Sequence, residues 1–146
     1  MGALTIGTDL VHLPDLRRQL ADAASTFIAG TFTSAELRAA TLRANARHTG
    51  PDHHDPDLAP HLGARFAAKE AFLKAWDQRF WGAAPPIAST AIDHRDIEVV
   101  TDAWGRPKLV LHNDIARVLG PLRAEVSLSH DGPFASAVVL LHEVQP

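Results

Sequence analysis

The stretch Leu62–Trp76, within HLGARFAAKEAFLKAW, limits what this chain can fold into more than any other segment. Read at about 100° per residue, it carries two apolar faces instead of one. Leu62, Phe66, Leu73 and Trp76 form a stripe of large side chains. Ala64, Ala67, Ala68, Ala71 and Ala75 form a smooth second face almost opposite. A helix apolar on both sides needs cover on both sides, which predicts a central helix. Its charges are therefore informative. Arg65, Lys69, Glu70 and Lys74 interrupt the apolar pattern, and Glu70 and Lys74 lie one turn apart in the seam between the faces. An exposed i,i+4 Glu–Lys pair contributes only about 0.2–0.5 kcal/mol and is common. This helix, however, has no broad polar face, and burying an unmatched charge is costly. Among 14 basic residues the only lysines are Lys69, Lys74 and Lys108. Two lysines so close together point to a use for a compact ammonium.

The rest of the composition narrows the class. With 146 residues, 46% of them hydrophobic, the chain suits one domain over residues 1–146 with a substantial core. A formal charge of -3 argues against nucleic acid as a partner. The absence of cysteine excludes disulfides, thiolate metal sites and a thiol nucleophile. No apolar run reaches membrane-spanning length, and the N-terminus lacks the pattern of a signal peptide. The expectation is a cytoplasmic protein with no membrane partner.

In chain order, Ala3–Val11 alternates as a strand. Leu4, Ile6, Thr8 and Leu10 face one way, and Thr5, Gly7, Asp9 and Val11 the other. Aspartate is depleted in strands. Asp9 is therefore either a solvated strand-end residue or a carboxylate ligand for a hard cation, close approach being eased by Gly7. Pro14 suits the first turn of a helix through Asp15, Leu16, Leu20, Ala24 and Phe27, with Arg17 and Arg18 on its outer face. Thr33 and Glu36 read as a capping box opening a second helix through Leu37 and Leu42 towards Arg47. His48–Pro60, HTGPDHHDPDLAP, is a loop whose histidines and aspartates match no fixed metal-ligand spacing; turn chemistry accounts for them better. Gly82–Ala91 is a further loop. Asp96–Thr101 and Pro107–His112 form a hairpin across Asp102 and Gly105, and Asn113 caps a short helix ended by Gly120–Pro121. Ala124–His130 and Phe134–His142 form another hairpin, the last strand apolar on both faces and so central. His130 is either a hydrogen-bonded core histidine or a phosphate contact at a strand end. The order of elements gives an α+β fold, a mainly antiparallel sheet packed around the long central helix.

GTDLV (Gly7–Val11), FTSAEL (Phe32–Leu37), RFAAKEAFLKA (Arg65–Ala75), GRPKL (Gly105–Leu109) and VSLSH (Val126–His130) occur in an order that resembles the holo-acyl-carrier-protein synthases. These are the small 4'-phosphopantetheinyl transferases. The resemblance implies transfer of the 4'-phosphopantetheine arm of coenzyme A to a serine of an acyl carrier protein, with release of 3',5'-ADP. It implies Mg²⁺ held by Asp9 and Glu70, and Lys74 as the lysine one turn beyond the glutamate. Gly105, Arg106 and Pro107 would lie beside the adenine end of the cofactor. Ser129 and His130 would close over the nucleotide phosphates. A homotrimer with active sites between subunits is the family expectation. Such a reaction needs charge neutralisation on the diphosphate, a role suited to Lys74 together with Lys69, and a proton acceptor for serine, for which Glu70 is nearest in the motif. Arg17 and Arg18 would dock an acidic carrier protein.

The His48–Pro60 and Phe80–Ala91 segments are longer than in compact family members, and the first helix carries only two adjacent arginines. These departures leave open which carrier is served, a fatty-acid carrier or a dedicated polyketide one. A non-catalytic module binding carrier or coenzyme A, and a hydrolase of coenzyme A, are the competing functions.

Overall fold

A computed structural model describes residues 4–47 and 55–144. The elements run β1 (Leu4–His12), α1 (Leu13–Ala21), α2 (Phe27–Thr31), α3 (Ser34–Arg47), α4 (Ala59–Arg79), β2 (Ile97–Thr101), β3 (Pro107–Leu111), α5 (Asn113–Leu119), β4 (Leu122–Asp131) and β5 (Phe134–Glu143). A short 3₁₀ turn, His94–Asp96, leads into β2. Strands β1, β5 and β4 form one antiparallel sheet with β5 in the middle, and β2 and β3 form a separate hairpin. The doubly apolar β5 is thus central, as its sequence requires.

Helix α4 is covered on both sides. Leu62, Ala67, Ala68, Ala71, Phe72, Ala75 and Trp76 are all buried, and only Lys74 of the four charges noted above is exposed. The alanine face lets backbone meet backbone. A Cβ at Gly7 on β1 would stand 1.8 Å from the Ala71 carbonyl oxygen and 2.8 Å from the Ala75 nitrogen, so no other residue fits there. This contact decides which face of β1 turns inward. Thr5, Gly7, Asp9 and Val11 lie towards the helix, while Leu4, Ile6 and Leu10 are exposed at 63%, 53% and 63%. The inward side of the strand is its small and polar one.

The capping box at α3 forms as expected: Thr33 N donates to Glu36 Oε2 (2.9 Å) and Glu36 N to Thr33 Oγ1 (3.2 Å). Three local expectations change. The first helix is not continuous to Phe27 but breaks after Ala21, because Asp22 Oδ1 accepts from Ala24 N and Ser25 Oγ from Phe27 N. Side-chain acceptors there replace the helical ladder. Asn113 is not a cap; it begins α5 with φ +52° and donates through Nδ2 to Asp96 Oδ1. The long loop ends two residues early, with Asp57 Oδ1 accepting from Ala59 N at the start of α4. His48, Asp52, His53 and His54 lie outside the described residues.

Candidate active site

Two loci of charge flank α4, and Glu70 belongs to the first. Asp9 and Glu70, from β1 and α4, line one cavity of about 340 Å³ together with Phe66 and His12. Glu70 also lines a neighbouring cavity of about 350 Å³ that holds Lys74, Ser89 and His94. Each carboxylate has one oxygen engaged. Lys74 Nζ donates to Asp9 Oδ1 (2.8 Å) and to the Thr8 carbonyl oxygen (2.9 Å). His94 Nε2 stands 2.6 Å from Glu70 Oε1, and that hydrogen bond, with the charges of His94 and Lys74, holds the Glu70 carboxyl below its ordinary pKa against the opposing effect of burial. The second oxygen of each has no protein partner among the described residues. Glu70 and Lys74 therefore do not form the intrahelical pair that their spacing allows; each reaches a different element.

Two free oxygens from two carboxylates facing a shared cavity suit a hard cation that takes its remaining ligands from phosphate and water. Among the described residues no group of three or more His, Asp or Glu side chains could hold a metal by itself.

Lys69 does not join this locus, contrary to expectation. It is fully buried on another side of α4, with Nζ donating to Glu36 Oε2 (2.9 Å), the His94 carbonyl oxygen (2.8 Å) and the Ile97 carbonyl oxygen (2.8 Å). All three ammonium hydrogens are spent, and none remains for a phosphate. Burial pushes the Lys69 pKa down, and Glu36 works against that.

The second locus is cationic. Arg43 and Arg47 of α3, His61 and Arg65 of α4 and His130 of β4 lie close enough to act on one another. Burial first, then the charges of Arg47, Arg65, His130 and Arg43, bring the His61 pKa down to about 4. The His61 and His130 rings meet edge to face at 6.1 Å. Arg65 is 3% exposed; its Nη1 donates to the His61 carbonyl oxygen (3.0 Å), and its Nε has no partner among the described residues. Gly105, at φ +83° in the β2–β3 turn, brings that hairpin against the Arg43 guanidinium. Arg106 pairs with Asp102 (2.5 Å) and lies over the Trp104 ring at 4.9 Å; Pro107 opens β3. Ser129 pairs with Ser136 and so shares the outer sheet face with Leu10, whereas His130 pairs with Ala135 on the helix side. Within one chain these two neighbours face opposite ways.

Arg17 and Arg18 are exposed on α1, each engaged by an acid: Arg17 with Asp57 (2.6 Å) and Arg18 with Asp15. Sequence reasoning gives His94, Arg43, Arg47 and His61 no place in a site, and notes Arg65 as a charge on the central helix without assigning it a role. An arginine beside a run of alanines on an otherwise buried helix is the one signal that was available.

The family model for the 4'-phosphopantetheinyl transferase superfamily (ACPS) matches residues 5–137. A holo-[acyl-carrier-protein] synthase of Mycobacterium ulcerans is 44% identical over 142 residues, covering 97% of this chain and 98% of that protein. One from Corynebacterium glutamicum is 41% identical over 142 residues, with 94% and 97% covered. Among solved structures, an ACPS-CoA complex from Chronobacterium ammoniagenes is similar at TM-score 0.81 and 37% identity, over 98% of this chain and 99% of that one. The Mycobacterium tuberculosis acyl carrier protein synthase is similar at TM-score 0.71 and 38% identity, over 96% and 97%. This chain belongs to the 4'-phosphopantetheinyl transferase superfamily.

Proposed function

We propose that this protein is a holo-acyl-carrier-protein synthase that moves the 4'-phosphopantetheine arm of coenzyme A onto a serine of an acyl carrier protein. The observation that carries this reading is the cavity shared by the Asp9 and Glu70 carboxylates, with Lys74 bonded to Asp9 at its side. In the reaction, the serine oxygen bonds to the phosphorus attached to pantetheine, the bond from that phosphorus to the oxygen bridging to the adenosine phosphate breaks, 3',5'-ADP leaves with the electron pair, and the hydroxyl proton is released.

Asp9 and Glu70 are the residues that would hold Mg²⁺, and the ion when bound polarises and neutralises the diphosphate. Lys74 fixes the Asp9 carboxylate and keeps a third ammonium hydrogen for a phosphate oxygen. Glu70 stays ionised because His94 stabilises its charged form. A carboxylate of lowered proton affinity is a better ligand than base. It accepts the hydrogen bond of the serine hydroxyl, and the proton passes late to solvent water, in keeping with the loose transition states of phosphoryl transfer. The cationic locus of Arg43, Arg47, His61, Arg65 and His130 suits the phosphate-bearing end of the nucleotide, with the Gly105–Pro107 hairpin beside the base. Acidic carriers would dock on Arg17 and Arg18 by exchanging Asp57 and Asp15 for their own carboxylates.

The further proposals are one transferase domain over the whole chain, a cytoplasmic setting and a homotrimer. Among the described residues no helix is long and apolar enough to cross a membrane. The exposed Leu4, Ile6, Leu10, Phe134 and Val138 on the outer face of the β1–β5 pair supply apolar surface for contact between copies. Sedimentation tests the assembly. Incubation with apo carrier protein, coenzyme A and Mg²⁺, followed by intact mass, tests the activity. One added phosphopantetheinyl group is expected. Binding without modification would make the chain a non-catalytic module, and phosphopantetheine release without carrier would make it a hydrolase.

A further inference from the structure

Lys69 and Glu70 are adjacent in the chain, yet both reach the same 3₁₀ turn from different sides of α4. Lys69 Nζ binds the carbonyl oxygen of His94 in that turn and that of Ile97 at the start of β2, and Glu70 meets the imidazole of His94. The anion of the buried pair is tied in as well. Glu36 Oε1 accepts from Val99 N (2.9 Å) in β2, while its Oε2 accepts from Thr33 N and Lys69 Nζ. One ion pair therefore joins the start of α3, the middle of α4 and the entry to β2. A buried pair of this kind gives little net stability over apolar side chains of similar volume. What it does give here is a fixed backbone position for His94.

From that backbone the His94 ring turns back to α4. It packs against Phe66 with ring centroids 6.0 Å apart, and Phe66 lines the cavity of Asp9 and Glu70. Since a carboxylate only accepts, Nε2 carries the hydrogen and donates it to Glu70 Oε1. A mid-helix glutamate otherwise has several rotamers open to it. With Oε1 held, Oε2 is the oxygen left for a ligand.

We infer that His94 is a positioning residue for Glu70, anchored by the buried Lys69–Glu36 pair, and that it aims the free Glu70 oxygen into the cavity shared with Asp9. This rests on Glu70 being the cation and diphosphate ligand proposed above. His94 itself touches neither the substrate nor the reacting atoms.

The test measures Mn²⁺ binding by electron paramagnetic resonance with coenzyme A present and carrier absent, alongside kcat, KM and melting temperature, on the full chain. His94→Phe is expected to weaken Mn²⁺ binding about tenfold or more and to lower kcat, leaving KM for the carrier protein and the melting temperature near their original values. His94→Gln, whose amide can donate from a similar place, should recover much of both losses. Wild-type Mn²⁺ affinity and kcat in His94→Phe would overturn the positioning role. Glu70→Gln separates the two levels: if it keeps Mn²⁺ binding and activity, the underlying assignment of Glu70 is what fails. Lys69→Met should lower melting temperature and Mn²⁺ affinity together. If that chain does not fold, Lys69→Arg, which keeps the charge but not the three-acceptor geometry, serves instead. Unchanged Mn²⁺ affinity in a folded Lys69 variant removes the ion pair from the device.

Discussion

The two charged loci on α4 are built on opposite principles. Around Asp9 and Glu70 each carboxylate meets a donor: Lys74 for Asp9, His94 for Glu70. Around Arg65 and His61 like charges crowd together, a guanidinium nitrogen has no partner among the described residues, and a histidine is held neutral down to about pH 4. The first locus is ordered from within and needs no ligand to hold its shape. The second, among the described residues, lacks a negative charge of its own to match. Among the described residues Glu36 is the acid whose charge reaches Arg65, and it is already committed to Lys69. A substrate with a diphosphate in its middle and a phosphate at one end would find an aligned site for the first and an unsatisfied one for the second.

The contrast is broken most severely at the balanced locus. Asp9→Ala and Glu70→Ala should each lower kcat on the order of 10²–10³-fold or more while the chain still folds, since neither side chain is part of the apolar core. Far-ultraviolet circular dichroism together with single-turnover mass assays checks both halves. A variant retaining full activity would remove its carboxylate from the site.

Arg65→Met and Lys69→Met sharpen the same contrast, because both delete a buried cation from α4. Lys69→Met leaves the Glu36 carboxylate buried and short of its main partner, a change worth about 3–5 kcal/mol of stability. Arg65→Met removes a charge that burial disfavours and that, among the described residues, makes one side-chain hydrogen bond, to the His61 carbonyl oxygen. It should cost much less stability than Lys69→Met and yet raise KM for coenzyme A roughly tenfold or more, with a smaller change in kcat. Denaturant titration and steady-state kinetics on the pair decide the matter. Equal losses of stability would mean that Arg65 is structural.

The fold was largely legible because its strongest signals were periodicities. Two apolar faces on Leu62–Trp76 announced a central helix, β5 announced a central strand, and Thr33 with Glu36 announced a cap; each depends on local spacing alone. Asp9, Glu70 and Lys74 were legible as charged residues placed where burial makes charge costly. What stayed hidden depends on which side of an element faces which neighbour. Lys69 looks like Lys74 in sequence, and only the approach of the 94–97 segment sends one to the core and leaves the other at the site. His94 is one of nine histidines and precedes an ordinary strand, so nothing local marks it. The direction of β1 was equally concealed, since its inward face is the less hydrophobic one, chosen by the backbone contact at Gly7.

The cationic locus also carries a pH signature of intermediate size. With a folded pKa of about 4 against an ordinary value of 6.5, His61 binds its proton less tightly in the folded chain than in the unfolded one. Between those values the unfolded state is the greater proton binder, so stability falls as pH is lowered through the window. Glu70, whose pKa is also depressed on folding, adds a loss in the same direction at lower pH. His61→Gln should flatten the fall in melting temperature between pH 6.5 and 4. Coenzyme A should oppose it, since a phosphate beside His61 raises its proton affinity. Calorimetry in two buffers of different ionisation enthalpy should then register proton uptake on binding near pH 5.5. Binding with no proton uptake there would separate His61 from the ligand.

The smallest effects are expected at Arg17 and Arg18 of α1, which line neither cavity of the Asp9–Glu70 locus. Arg17 and Arg18 are exposed and already paired, and such solvent-screened surface pairs contribute little. Their exchange for a carrier's carboxylates is nearly neutral in energy, so what they contribute is encounter, not affinity in the complex. Arg17→Ala and Arg18→Ala should therefore raise KM for the carrier protein by a few-fold at low ionic strength, without altering kcat or KM for coenzyme A. The difference from wild type should shrink as salt shortens the Debye length from about 30 Å at 0.01 M to about 8 Å at 0.15 M. A defect that persists undiminished at high salt would mean the two arginines make close, desolvated contacts, and α1 would then have to be treated as part of a buried interface.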